Sequence, residues 1–190
     1  MRLVRKRGYW DQRARDLVRT YDHSETWAER GWLRAGAEDE VVPRLLRREG
    51  CRTVLVPGAG TGRQYAYLTD FDVVGFDISR RLVKETRRRH PAIPTHHRDV
   101  VGCDQLGVFD AVVVSAVLAH VPDVQAAADS LAAAAEKLIV LREYTWLRDL
   151  HAHQQGHDYI ALFPGWQLLH REVTDDRPDG RAELLAFRRP

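Results

Sequence analysis

The stretch Val54-Leu55-Val56-Pro57-Gly58-Ala59-Gly60-Thr61-Gly62-Arg63, VLVPGAGTGR, decides how this chain folds. A short apolar run ends in glycines at three alternate positions. Glycine adopts positive φ without steric cost and lets a ligand approach the backbone with no Cβ in the way. A helix that starts just after such a turn adds N–H groups beside the ligand. Three patterns compete for these residues. A phosphate-cradling loop, G-x-x-x-x-G-K-[ST], needs Gly, Lys and Ser or Thr where Arg63, Gln64 and Tyr65 stand. A dinucleotide turn, G-x-G-x-x-G/A, meets Arg63 at its last position, which counts against an NAD-dependent oxidoreductase. The third pattern, G-x-G-x-G, is satisfied by Gly58, Gly60 and Gly62. A tight strand–helix turn with no ligand would look the same in this stretch alone.

Outward from the turn, apolar runs alternate with helical patterns. Strands are predicted over Arg52–Pro57, Val73–Asp77, Pro94–His97, Phe109–Ser115 and Leu138–Leu141. The fourth, FDAVVVS, is a continuous apolar run of the kind buried on both faces. Between them, Arg63–Thr69 reads as a helix. Ser79 caps another that reaches about His90 before Pro91, and Asp123 caps a third with Val124, Ala128, Leu131 and Ala135 on one stripe. This alternation predicts a parallel sheet with helices on both faces. Gly165–Val173 and Ala182–Arg188 read as two strands joined through Asp175-Asp176-Arg177-Pro178-Asp179-Gly180, an antiparallel hairpin. The first 50 residues read as a helical cap carrying Trp10, Tyr21, Trp27 and Trp32, either as a lid or as the cap's own core. Gly50 closes a helix with Val41, Val42, Leu45 and Leu46 on its apolar stripe, and Pro43 fits only in that helix's first turn.

Composition sets the bounds. The 190 residues suit one domain, residues 1–50 forming the cap and 51–190 the core. A net charge of +2 gives no reason to expect a nucleic-acid partner. Two cysteines, Cys51 and Cys103, make no disulfide framework, so a cytoplasmic location is expected. No apolar run approaches the ~20 residues of a membrane span, and no signal-peptide pattern opens the chain.

VLVPGAGTG, VVGFDIS, HHRDV and FDAVVVSAVLAHVPD together resemble, in order and spacing, the class I S-adenosylmethionine-dependent methyltransferases over about residues 40–145. The resemblance implies a doubly wound α/β fold: a mostly parallel, seven-stranded Rossmann-like sheet ending in an antiparallel hairpin. It implies S-adenosylmethionine as cofactor and S-adenosylhomocysteine as product. By position, Gly58, Ala59, Gly60 and Gly62 would line the methionine and ribose. Asp77 would hold the ribose hydroxyls, which a strand-tip carboxylate suits, while Ser79 is the better-placed helix cap. Ile78 would pack on adenine, Asp99 would meet its amino group, and Val100 would lie beside the ring. Ser115 would stand at the methionine end, with Tyr21 reaching in from the cap. Many members carry an acid two positions before the first glycine. Here Val56 stands there, followed by Pro57, as in thiopurine methyltransferase-like variants. Backbone carbonyls, a tyrosine, or a cap carboxylate such as Asp22 must then hold the cofactor's ammonium.

Methyl transfer from a sulfonium is an in-line displacement, so the protein mainly positions the nucleophile and excludes water. His120, after the fourth strand, is the candidate base or substrate contact. Glu143 and Tyr144 follow the fifth and are further candidates, Glu143 to bind a cationic amine, to act as base, or to pair with an arginine. His151, His153, His157 and Asp158 form a cluster, but the carboxylate and amide ligands of catechol-type metal sites are not found, so no metal is expected. The basic helix SRRLVKETRRRH reads as a solvated face rather than a phosphate track. Ser115-Ala116-Val117-Leu118 replaces the Asn/Asp-Pro-Pro-Tyr motif of enzymes that methylate amino groups of nucleic-acid bases. The expectation is methylation of N or O on a small molecule, such as a biosynthetic intermediate, by a monomer or homodimer without membrane partners. The alternatives are a non-catalytic S-adenosylmethionine-binding subunit and, further off, a nucleic-acid or protein methyltransferase.

Overall fold

A computed structural model describes residues 6–21, 37–147, 155–178 and 180–190. Among the described residues, helices α1 (Lys6–Tyr21) and α2 (Ala37–Arg48) precede strands β1 (Thr53–Pro57), β2 (Asp72–Asp77), β3 (Thr95–His97), β4 (Phe109–Ser115) and β5 (Ala135–Leu147). Helix α3 (Arg80–Arg89) joins β2 to β3, and α4 (Val124–Ala134) joins β4 to β5. Strands β6 (Gln167–Arg177) and β7 (Gly180–Arg188) close the chain. The seven-stranded sheet runs β3-β2-β1-β4-β5-β7-β6. Strands β1 to β5 are parallel and β7 runs antiparallel between β5 and β6. Strand–helix alternation predicts the parallel sheet with its helices, and the family resemblance implies the doubly wound, Rossmann-like order with its closing hairpin that is found here.

Strand parity builds the two cores. Side chains alternate faces along a strand, so Leu55, Val112, Val114, Ile139 and Leu141 meet Ala127, Ala128 and Leu131 of α4 on one side. Val54, Val56, Val113 and Val140 meet Val41, Val42, Leu45 and Leu46 of α2 on the other. Each of these buried aliphatic side chains contributes about 1.5–3 kcal/mol. At the opposite end of the sheet from the glycine turn, Asp110 ties β4 to β1, accepting from the N–H groups of Arg52 and Thr53 at 2.8 and 2.9 Å.

Several boundaries differ from the sequence reading. Arg63–Tyr67 is a single 3₁₀ stretch, not a helix to Thr69. Tyr65 turns inward there: its hydroxyl lies 3.2 Å from Thr95 Oγ1, and a Cβ on Gly75 of β2 would lie 1.7 Å from that hydroxyl. Ala135 opens β5 rather than extending α4, and β5 runs on to Leu147 because β7 pairs with it as far as Leu147↔Gly180. The hairpin strands likewise reach Arg177↔Gly180. Pro43 lies in the middle of α2, beyond its first turn. Its missing N–H leaves the Asp39 carbonyl without a helical partner, and burial of the α2 stripe offsets that loss.

Candidate functional site

The site is built at the C-terminal ends of β1, β2, β4 and β5, the edge where ligands bind in open α/β sheets. Gly58, Gly60 and Gly62 all have positive φ, at 62°, 60° and 87°. The turn they form is laced to its neighbours. Ala59 N–H donates to the Phe76 carbonyl at 2.9 Å, and Thr86 Oγ1 of α3 donates to the Gly60 carbonyl at 2.6 Å. At Gly58 a Cβ would stand 2.3 Å from Cγ2 of Val117. Gly58→Ala therefore combines a left-handed penalty with a clash, and an expected stability loss of about 1–3 kcal/mol is checked by urea unfolding.

Asp77 is 6% exposed and faces this turn. Its Oδ2 accepts from Gly60 N–H at 3.0 Å and its Oδ1 from Ser79 N–H at 2.8 Å. Each oxygen retains a second acceptor position. Burial, opposed by those N–H groups and reinforced by Asp11, pushes the Asp77 carboxyl up to about 6. Ser79 caps α3, accepting from Leu82 N–H at 3.2 Å, and donates its own hydroxyl to Asp11 of α1 at 2.6 Å. The first helix is thereby fastened to the edge of the sheet that carries the glycine turn. Asp11 is a residue that the sequence reading missed, one acid among many in a charged segment.

The β2–β3 rim carries the adenine candidates. The Ile78 carbonyl lies 3.0 Å from His97 Nε2, and Arg98 N–H donates to the Asp77 carbonyl at 3.0 Å. Asp99, half-buried, turns its Oδ1 to Val101 N–H at 3.3 Å. Val100 is buried in the core. The side chain of Tyr21 lies outside the described residues, as do Asp22, Trp27, Trp32, His151 and His153.

The three candidates for the chemistry do not form one cluster. Glu143 and Tyr144 are neighbours on β5 and so point to opposite faces. Glu143 is fully buried and accepts from the N–H groups of Val117 at 2.6 Å, Leu118 at 3.0 Å and Ala119 at 3.5 Å. Burial pushes its carboxyl up to about 7 against those donors. It thus clamps the turn after β4, in which Ala116 has φ 55°. His120 closes that same turn, half-buried, with the edge of its ring against Trp10 of α1 at 4.8 Å between centroids and 89° between planes. Tyr144 stands under the Arg142 guanidinium, 5.7 Å from the ring centroid. His157 packs its ring on buried Tyr159 at 5.9 Å, while Asp158 Oδ1 accepts from Ile160 N–H at 3.1 Å. Among the described residues no group of three or more His, Cys, Asp or Glu could hold a metal ion. Nor is any described helix long and apolar enough to cross a membrane.

A second missed residue is Glu38, in the first turn of α2 and 5% exposed. Its carboxylate reaches Ser115 Oγ at 3.2 Å, Arg142 Nε at 3.2 Å, a terminal guanidinium nitrogen of Arg63 at 3.0 Å and the Tyr67 hydroxyl at 3.3 Å. Its sequence context, AEDEVVPR, holds three acids in four residues and gives no local signal for which one turns inward.

Comparison with known proteins bears on this geometry. Residues 55–137 match the family model described as a methyltransferase domain. No curated protein matches the chain. Among solved structures, magnesium protoporphyrin IX methyltransferase (ChlM) from Synechocystis PCC 6803 with bound SAM is similar at 20% identity and TM-score 0.72, over 97% of this chain and 95% of that one. The N-methyltransferase NodS from Bradyrhizobium japonicum WM9, in complex with S-adenosyl-L-homocysteine, is similar at 20% identity and TM-score 0.65, over 80% and 87% of the two chains. The sugar N-methyltransferase KedS8 from Streptoalloteichus sp ATCC 53650 gives 19% identity and TM-score 0.65, over 81% and 87%.

Proposed function

We propose that this chain, whose residues 55–137 match a methyltransferase-domain model, transfers a methyl group from S-adenosylmethionine to N or O of a small molecule. The observation that carries the reading is the left-handed three-glycine turn hydrogen-bonded to a buried strand-tip carboxylate, Asp77. The turn fits the cofactor: it presents backbone with no Cβ at three positions, and Asp77 keeps acceptor capacity for a ribose diol. Small-molecule chemistry is supported by the kinship in fold with ChlM, NodS and KedS8.

The cofactor supplies a methyl group already activated on a sulfonium, so the barrier falls chiefly through orientation and exclusion of water. Gly58, Gly60 and Gly62 let it lie against the backbone, Asp77 orients its ribose, and Ile78, Asp99 and Val100 form the rim for its adenine. Ser115 and the turn clamped by Glu143 bound its methionine end. His120, at the end of that turn with its ring against Trp10, would contact the acceptor and hold its departing proton. Glu143 acts through the turn it holds, since its carboxylate is engaged by backbone N–H groups.

His120→Ala is expected to lower turnover about 10²–10⁴-fold, the range for loss of a general base, while changing S-adenosylhomocysteine affinity far less. Steady-state methyl transfer to a panel of amines and hydroxyl compounds, with calorimetric binding of the product, checks it. Turnover equal to wild type makes His120 a structural ring. Turnover of any acceptor by the wild-type chain excludes the non-catalytic alternative.

A further inference from the structure

A buried carboxylate tied to four partners from three directions calls for an explanation. Glu38 leaves α2 and meets Arg63 and Tyr67 just after the glycine turn, Ser115 at the tip of β4, and Arg142 on β5. Arg142 is itself only 4% exposed. Burying such charges costs desolvation that their mutual attraction does not necessarily repay, so an apolar contact could dock α2 at least as well. What the charged version adds is fixed direction. It holds a guanidinium, a hydroxyl and a carboxylate side by side on the ligand edge of the sheet, between the glycine turn and β4. An α-amino acid is the complementary group: its carboxylate suits a guanidinium fork and its ammonium suits acceptor oxygens.

Resting on the methyltransferase reading, we propose that Glu38 is the positioning residue for the amino-acid end of the cofactor, setting Arg63 and Ser115 as a preformed polar wall for the zwitterion. The adenosine end is held separately, by Asp77 and the β2–β3 rim. The two halves of the cofactor are therefore energetically separable at this site.

The test compares two probes by calorimetry: S-adenosylhomocysteine, which has the amino-acid end, and 5′-methylthioadenosine, which lacks it. Glu38→Ala is expected to weaken S-adenosylhomocysteine at least ~10-fold, the scale of one lost charge-assisted contact, and to leave 5′-methylthioadenosine within about twofold. Arg63→Ala, whose side chain is one-third exposed (33%), reads the same selectivity if Glu38→Ala does not fold. Equal weakening of both probes makes Glu38 a structural docking residue and overturns the proposal. Unchanged affinity for both overturns it as well. Failure of the wild-type chain to bind either probe instead removes the methyltransferase reading on which the proposal stands.

Discussion

Glu143→Leu is expected to destabilise the protein by about 3–5 kcal/mol, the sum expected when several buried backbone donors lose a shared acceptor. Three backbone N–H groups, of Val117, Leu118 and Ala119, lose their acceptor at once. Each buried orphan costs about 1–3 kcal/mol, less where the turn relaxes toward water. The clamp also holds Ala116 at φ 55°, a strained conformation for a residue with a Cβ. Leucine is close to glutamate in volume, so the loss reads the polar groups rather than a cavity. Val117 packs against Gly58, and release of the turn is thus transmitted to the glycine turn itself. Acidity gives an independent reading. The Glu143 carboxyl sits at about 7, above its ordinary 4.5. Between those values the folded state holds a proton that the unfolded state has released, so this stabilising contribution is complete below 4.5 and lost as pH rises through 7. Glu143→Gln keeps an acceptor oxygen and removes that slope. Urea midpoints from pH 4.5 to 8 for wild type, Glu143→Gln and Glu143→Leu check both statements. A Glu143→Leu loss below 1 kcal/mol would show that the turn does not depend on the clamp.

Asp77→Ala is expected to weaken S-adenosylhomocysteine binding by ~1.5–3 kcal/mol, since hydrogen bonds from ribose hydroxyls to a charged acceptor are lost. The same substitution frees Gly60 N–H and Ser79 N–H, loosening the glycine turn itself. The two effects separate by pH. With the Asp77 carboxyl at about 6, protonation turns one acceptor oxygen into a donor, and wild-type affinity should decline as pH falls through 6. Asp77→Asn should bind more weakly at pH 8 and lose that pH dependence. Calorimetry at pH 5, 6 and 8 reads both, and unchanged affinity in Asp77→Ala would remove the carboxylate from the site.

Much of the sheet was legible because its signals are local. The apolar run into three glycines marks β1 and its turn, FDAVVVS reads as a strand of the kind buried on both faces, and Pro178 marks the hairpin. What escaped depends on distant partners. The far half of β5 exists because β7 supplies its ladder to Leu147. The segment after Gly62 stays a short 3₁₀ stretch whose Tyr65 lies over Gly75 of β2, a contact with a distant strand. Site residues follow the same division. The glycines and Asp77 occur in a recognisable strand–turn order, whereas Glu38, Asp11 and the clamp role of Glu143 arise only when separate elements meet. Strand parity alone separates Glu143 from Tyr144, but nothing local says that the acid lies inward.

The most direct test of the central claim is calorimetric titration of S-adenosylmethionine and S-adenosylhomocysteine into the purified protein, with NADH as control. Micromolar binding of both sulfur nucleosides and none of NADH is the predicted result. Binding of NADH, or absence of S-adenosylhomocysteine binding, would contradict the assignment of the glycine turn and Asp77 as a methyl-donor site.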